Sequence, residues 1–338
     1  MKIDIFCHIY TRKLLDEYVK TQLPLVLRFG GFQVPAEETR FVDADARLKV
    51  MDKYGIDIQV LTIAFQNAIT TVPDKDLLRI SRIANDSLAE LVDESPERLI
   101  GIATLLNPSG EGLDELDHAI KDLGMKGCLV FSNVKGRPLD SPEFIPFYER
   151  MAKYDLPIFI HPTDWTYYNW VGDYRLDRIF GWPFDTSLAL GRLVFGGVMP
   201  RFPNLKIIGH HLGGMTPYFS GRILEFIQQA VSHPGWAGAG MFPDHVKGQE
   251  GRKHDDPLKY FRSFYGDTVI MGNASAVRCA IDFFGVDHIL YATDYPFGAD
   301  NGEENIRLNT SCVEDLHLSA EDNEKIFEKN ARRLLKLR

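Results

Sequence analysis

Pro157-Ile158-Phe159-Ile160-His161-Pro162 is an unbroken apolar run that stops at a histidine and a proline. A strand that is apolar at every position, not at every second one, is covered on both faces, as in a parallel sheet. Seven further runs are mostly continuous rather than alternating: Ile3 to His8, Ile56 to Ala64, Leu99 to Leu105, Gly127 to Phe131, Lys206 to His211, Ser263 to Asp267 and Ile289 to Asp294. Between them lie stretches with apolar residues at helical spacing. Asp74 to Ser95 is one, with Leu77, Leu78, Ile80, Ile83, Leu88 and Leu91. Ser141 to Lys153 is another, opened by a Ser-Pro pair that suits a first helical turn. Strand and helix alternating eight times predict an α/β fold of the (β/α)8 barrel type over an open sheet.

The 338 residues are enough for two domains at roughly 150 residues each. No linker, composition break or internal repeat divides them, so a single barrel domain over 1–338 is expected. Two connections are enlarged. Thr11 to Asp45, after strand one, holds Phe29-Gly30-Gly31-Phe32. Pro162 to Asp185, after strand five, is rich in aromatics, Trp165, Trp170, Tyr174 and Trp182 among them. Both leave the C-terminal ends of strands, where barrels build active sites. These aromatics either line a substrate pocket, plug the barrel mouth or bury a subunit interface. Helices near Glu303 to Leu316 and Ala320 to Leu337 are expected to close the outside.

The charge balance is 38 basic against 47 acidic residues, a net charge of -9. An acidic chain repels phosphate backbones, which argues against a nucleic-acid partner. No apolar run approaches the roughly 20 residues that cross a bilayer, and Met1-Lys2-Ile3-Asp4-Ile5 has no signal-peptide pattern. No membrane partner is expected. Cys7, Cys128, Cys279 and Cys312 form neither a CxxC pair nor a disulfide framework. They suit free thiols in a reducing cytoplasm.

Four of ten histidines fall at the ends of expected strands: His8, His161, and the pair His210-His211 before Leu212-Gly213-Gly214. Asp294 ends the eighth strand, in Leu290-Tyr291-Ala292-Thr293-Asp294-Tyr295-Pro296. One histidine after a strand reads as a hydrogen-bonded structural residue. Several, with an aspartate, at one end of one barrel suit a divalent ion with an open position for water or substrate.

An ordered set of motifs goes further. It comprises Ile3-Asp4-Ile5 through His8, Met51-Asp52-Lys53-Tyr54-Gly55-Ile56-Asp57, Arg201-Phe202-Pro203-Asn204-Leu205-Lys206, His211-Leu212-Gly213-Gly214, Ala292-Thr293-Asp294-Tyr295-Pro296 and Asn330-Ala331-Arg332-Arg333-Leu334-Leu335. With them the chain resembles, almost end to end, the amidohydrolase-2 group of the amidohydrolase superfamily. That group includes aminocarboxymuconate semialdehyde decarboxylase and the γ-resorcylate and related hydroxybenzoate decarboxylases. The resemblance implies His8, His161 and Asp294 as metal ligands, with zinc expected and manganese or another divalent ion as the alternative. It implies His211 as the base or proton carrier, and Asp294 as a second catalytic group. His210 becomes an adjacent extra histidine pointing the other way. A homodimer or homotetramer is also implied.

The departure is Phe6. The pattern puts a ligand two residues before His8, and a phenyl ring binds no metal. Alternation sets Asp4, Phe6 and His8 on one side of the strand, where Asp4 reads as structural. The expected activity is metal-dependent, non-oxidative decarboxylation of a hydroxylated aromatic or heteroaromatic acid, or of a muconate-semialdehyde-like acid. Two alternatives stand beside it: a metal-dependent hydrolase or hydratase of a ring-cleavage product, and a metal-free ligand-binding member, for which Phe6 is the motive. Phe6, Trp165 and Arg175 are candidate contacts of a small carboxylic acid substrate. Arg40 and Arg47 are further candidate carboxylate partners, Arg222 matches a family position, and Asp267 is placed to hydrogen-bond within the mouth.

Overall fold

Ile3–Ile9 forms β1, and all of its residues are buried, the polar Asp4 and His8 included, as in a strand covered on both faces. Seven further strands continue the barrel. They are β2 Ile58–Ile63, β3 Leu99–Gly101 resumed as Ala103–Thr104, and β4 Cys128–Phe131. Then come β5 Ile158–His161, β6 Ile207–Gly209, β7 Tyr265–Asp267 and β8 Ile289–Leu290. Each pairs in parallel with the next in chain order. The ring closes between its ends: Ile5 N donates to Tyr291 O at 2.9 Å, and Asp294 N donates to Phe6 O at 3.0 Å. The molecule is a TIM barrel. This computed structural model describes residues 1–21, 28–29, 32–33, 39–63, 72–163, 169–232 and 258–337.

The helical spacing is realised in Leu77–Val92, whose buried face includes Leu77, Ile80, Ala84, Leu88 and Leu91. A 3-10 turn, Asp74–Asp76, precedes it. Ile145–Tyr154 likewise follows a 3-10 turn begun at Pro142. The helix Ala44–Tyr54 starts where the Asp43 carboxylate accepts from Ala46 N and stops at Gly55, whose φ of +64° is left-handed. That helix delivers Arg47 to the barrel interior, where it is fully buried. Glu303–Glu314 and a run from Ala320 to Leu335 form the expected closing helices.

Several strands are shorter than their apolar runs. The run at Lys206 to His211 ends as strand at Gly209, because the chain bends into the turn His210–Gly213 with His211 and Leu212 both at φ +56°. Room for that turn comes from Gly266 on β7, where a Cβ would lie 3.0 Å from Leu212 Cα. The run at Ile289 to Asp294 pairs as strand only over Ile289–Leu290, after which its backbone bonds to β1. A register shift between Asp4 and Cys7 interrupts the pairing of β1 with β2.

After β1 the chain carries the helix Arg12–Thr21 and an antiparallel pair that sets Phe29 opposite Phe32. Gly30 and Gly31 lie outside the described residues, as do Trp165, Tyr167 and Tyr168 after β5. Beyond them the chain winds through Asn169–Arg175 and Asp177–Gly181 into the helix Trp182–Phe195. The buried Asp185 in its first turn accepts from Thr163 N at 2.9 Å and Thr163 Oγ1 at 3.1 Å, and also from Ser132 Oγ. One carboxylate thus fastens this helix to the ends of β4 and β5.

Candidate metal centre

Three imidazoles meet at the C-terminal mouth of the barrel. His8, His161 and His210 are each buried, and a ring nitrogen from each lies within 4.8 Å of the others. Their orientation follows from what the opposite nitrogen does. His8 Nδ1 lies 2.9 Å from Thr62 Oγ1, and that hydroxyl donates onward to Cys7 O at 3.1 Å. The hydroxyl hydrogen being spent, Nδ1 is the donor. His161 Nδ1 faces Pro162 O at 2.6 Å, and His210 Nδ1 faces Asp267 Oδ2 at 2.5 Å. A carbonyl and a carboxylate only accept. All three rings therefore carry their hydrogen on Nδ1 and offer the Nε2 lone pair, the state in which imidazole binds a metal.

Asp294 stands beside them. Its Oδ1 is 3.2 Å from His8 Nε2 and 4.0 Å from His210 Nε2. His8 Nε2 is buried and has no hydrogen-bond partner among the described residues. An orphaned buried nitrogen facing a carboxylate is a donor set that fits a divalent cation. Asp294 itself has φ +63°, and His211 and Leu212 share that left-handed region. Such strain in non-glycine residues concentrates at functional sites.

Burial sets the electrostatics. It lowers the pKa values of His8 and His161 to about 3, so both imidazoles are neutral at physiological pH. His210 and His211 are also pushed well below the ordinary value, first by burial and then by neighbouring imidazoles. Burial drives Asp294 well above the ordinary carboxyl value, and the Asp267 charge adds to it. Asp267 is raised to about 6 by burial, against the pull of His211 and three backbone donors.

Aromatic rings frame the cluster. Phe6 is 1% exposed and stacks on His210 at 4.0 Å and on His161 at 6.0 Å, so it packs among the imidazoles. Trp182 stacks on His211 at 6.0 Å and meets His161 edge-on at the same distance. Phe297 touches His8 at 5.4 Å, with Phe41 behind it. His211 is half-buried, and its Nδ1 has no hydrogen-bond partner among the described residues.

The structure therefore gathers His8, His161, Asp294 and His211, together with Phe6. It corrects the expectation for His210. Strand alternation would turn adjacent residues to opposite sides, but the strand has already ended at Gly209. In the turn that follows, the rings of His210 and His211 lie 3.9 Å apart and face the same site. Asp267 hydrogen-bonds in the mouth as expected. Arg47 is corrected as a carboxylate partner: Nη1 donates to Gln59 Oε1 at 2.8 Å, Nη2 donates to His8 O at 2.5 Å, and Tyr295 covers the guanidinium. Arg40 bonds Asn301, and Arg222 lies over Phe226. Arg175, 44% exposed, sits 3.7 Å from Asp177. Trp165 lies outside the described residues. Sequence reasoning missed Thr62, which orients His8; a lone strand threonine carries no signal of that role.

Comparison with known proteins meets this geometry. The Amidohydrolase family model matches residues 3–337. The chain belongs to the amidohydrolase family. This amidohydrolase is 31% identical over 257 residues to 2-amino-3-carboxymuconate-6-semialdehyde decarboxylase of Dictyostelium discoideum, covering 75% of this chain and 67% of that one. It is 29% identical over 309 residues to γ-resorcylate decarboxylase of Rhizobium sp., covering 87% of each. Among solved structures, dihydroxybenzoic acid decarboxylase of Polaromonas sp., with bound manganese and the inhibitor 2-nitroresorcinol, superposes with a TM-score of 0.78 at 27% identity. That match covers 99% of this amidohydrolase and 97% of the other chain. The named relatives are decarboxylases, and neither the hydrolase nor the metal-free alternative is favoured by them. Among the described residues of this amidohydrolase no helix is long and apolar enough to cross a membrane.

Proposed function

We propose that this amidohydrolase, acting as one barrel domain over residues 1–338, is a metal-dependent, non-oxidative decarboxylase of a hydroxylated aromatic or heteroaromatic carboxylic acid. The observation that carries the reading is the orphaned Nε2 of His8, which faces the carboxylate of Asp294 at 3.2 Å and lies within 4.8 Å of a ring nitrogen of His161. His8, His161 and Asp294 would hold the ion, zinc by the nitrogen-rich donor set or manganese as in the Polaromonas relative. Bound there, a divalent ion supplies Lewis acidity to a substrate oxygen.

The remaining work falls to the chain. Decarboxylation adds a proton to the ring carbon, breaks its bond to the carboxylate carbon, and returns that electron pair to the ring as CO2 departs. Asp294, at the mouth, delivers the proton from its carboxyl group. His211, whose Nδ1 has no hydrogen-bond partner among the described residues, returns a proton to it from solvent. Trp182 and Phe297 present apolar faces that suit a flat ring and exclude water. Phe6 completes the floor, and Arg175 is the surface group proposed to meet the substrate carboxylate. Trp165 is the further proposed contact.

Four free cysteines fit a reducing cytoplasm. Exposed Ile179, Phe180, Leu188 and Phe226 support assembly as a dimer or tetramer. The test is CO2 release by zinc- and manganese-loaded protein from a panel of hydroxybenzoates, hydroxypicolinates and muconate semialdehydes. Release from at least one supports the reading. Ester or carbon–carbon hydrolysis without CO2 overturns it.

A further inference from the structure

We propose that the indole N–H of Trp182 is the donor that reads a ring hydroxyl of the substrate, one not held by the ion, and that Arg178 is the positioning residue that keeps the indole in place. The inference rests on the reading above, an aromatic acid at this mouth, and adds which part of that acid the chain recognises.

The side chain of Trp182 has a single polar atom, Nε1, and that atom is buried without a hydrogen-bond partner among the described residues. An indole nitrogen donates in one fixed direction and accepts nothing, and a buried one ordinarily finds an acceptor. The Thr186 hydroxyl, one turn further along the helix, also has no partner there, but it can turn its hydrogen to a carbonyl of its own helix. The indole has no such exit. The neighbouring imidazoles do not take its proton. His211 stacks on the indole at 20° with centroids 6.0 Å apart, whereas the N–H points along the indole plane. His161 meets the indole at 71° and 6.0 Å, with its Nδ1 engaged by Pro162 O and its Nε2 in the proposed metal set. The acceptor left for this donor is an oxygen of a bound ligand. A single neutral donor suits a hydroxyl oxygen; a carboxylate is held better by a cation.

The indole is held firmly for this task. Asp185 fastens the first turn of its helix to the ends of β4 and β5 through Ser132 and Thr163. The turn before it, Asp177–Gly181, is π-helical, and Trp182 N donates to Asp177 O, five residues back. Such wide turns recur at functional sites. Four residues before Trp182, Arg178 lays its guanidinium over the indole, with Cζ 4.3 Å from the ring centroid. A cation on the face of an indole fixes the ring and leaves its edge, which carries the N–H, open to a ligand. Trp182 thus has two uses at the mouth: a face that packs on a flat ring, and an edge that tells a hydroxylated ring from a bare one. A site with a buried donor rejects the analogue that lacks the matching acceptor, because the donor is then left unpaired.

The experiment is a cycle between protein and ligand, run on the zinc-loaded full chain. Calorimetry gives the affinities of wild type and W182F for the tightest-binding dihydroxybenzoate and for the two monohydroxybenzoates that lack one or the other of its hydroxyls. Loss of one hydroxyl should cost wild type ~10-fold in affinity and W182F less than ~3-fold, while loss of the other costs both proteins alike. The cycle cancels the packing lost with the smaller ring. A second readout needs no variant at that position: of the four isotope-labelled tryptophan indoles, one N–H signal should move downfield with the dihydroxybenzoate and stay in place with the analogue lacking that hydroxyl. With Trp182 intact, R178Q should reduce the ~10-fold preference to ~3-fold or less, and R178K should restore part of it. Circular dichroism reports folding, and R178M stands in if R178Q does not fold. Equal costs in wild type and W182F for both hydroxyls, or indole signals indifferent to the hydroxyl, overturn the assignment of Trp182. The full preference in folded R178Q overturns the positioning role of Arg178. Folded, zinc-loaded wild type that binds no hydroxybenzoate overturns the aromatic-acid reading beneath both.

Discussion

Two polar layers sit one above the other inside this barrel, and they are finished differently. In the lower one Asp4 accepts from Thr293 N at 3.0 Å, Thr293 Oγ1 at 2.6 Å and Gln59 Nε2 at 2.9 Å. Gln59 in turn accepts from Arg47. In the upper one His8 Nε2 and His211 Nδ1 are buried without hydrogen-bond partners among the described residues. Both layers stand on β1, four residues apart. The Asp4 carboxylate is satisfied and holds strands together, although Arg47 Nε beside it also lacks a hydrogen-bond partner among the described residues; in the upper layer the nitrogens without partners belong to imidazoles, which a ligand can complete. The contrast supports the proposed division, structure in the Asp4 layer and chemistry in the His8 layer.

The largest expected effect breaks the upper layer. His8→Ala or His161→Ala should remove bound metal and lower CO2 release by ~10⁴-fold, the worth of a Lewis acid contributing about 5 kcal/mol. Metal analysis beside turnover checks it; full metal content in either variant would erase the distinction between the layers. His211→Ala should follow with a kcat loss of ~10²–10³-fold and metal content intact, as for a lost proton carrier. Unchanged turnover would end that assignment.

In the lower layer the loss should be of stability. Asp4→Asn sets an amide against three donors and should cost about 2–4 kcal/mol in urea unfolding, with metal affinity of the folded protein unchanged. A loss of affinity at full stability would show the layers to be one.

The smallest effect is in pH dependence. Asp4 is raised by burial from 3.8 to about 7. The folded chain therefore takes up that proton before the unfolded chain does, and the contribution of Asp4 to stability grows as pH falls from about 7 to 3.8. His8 and His161, lowered from 6.5 to about 3, act oppositely: the unfolded chain is protonated first, and stability is lost as pH falls through 6.5. Metal-free wild type should thus have the two trends partly offset. Metal-free Asp4→Asn should lose stability more steeply on acidification between pH 7 and 4, measured by urea midpoints; a parallel profile would contradict the burial of an ionisable Asp4.

Much of the barrel was legible because parallel strands covered on both faces are apolar along most of their length, which marks their positions without reference to partners. Leu77–Val92 was legible for the same reason in helical form. His8, His161 and Asp294 could be read as a set because strand ends of a barrel converge on one mouth. Strand lengths could not: the apolar runs at β6 and β8 continue past the last strand residue, and only the backbone shows where pairing stops. Arg47 reads from the sequence as a candidate carboxylate partner, since nothing local reveals that Gln59, His8 O and Tyr295 surround it.

The sequence by itself determined the alternation, the mouth and most of its donors, because periodicity and strand-end position are local properties. Which of two adjacent histidines faces the metal site was a tertiary decision. Strand alternation allows one; the left-handed turn at His211, made possible by Gly266 on β7 and held by Asp267, admits both. A ring's direction depends on what lies across the barrel from it, and β7 is more than fifty residues further along the chain.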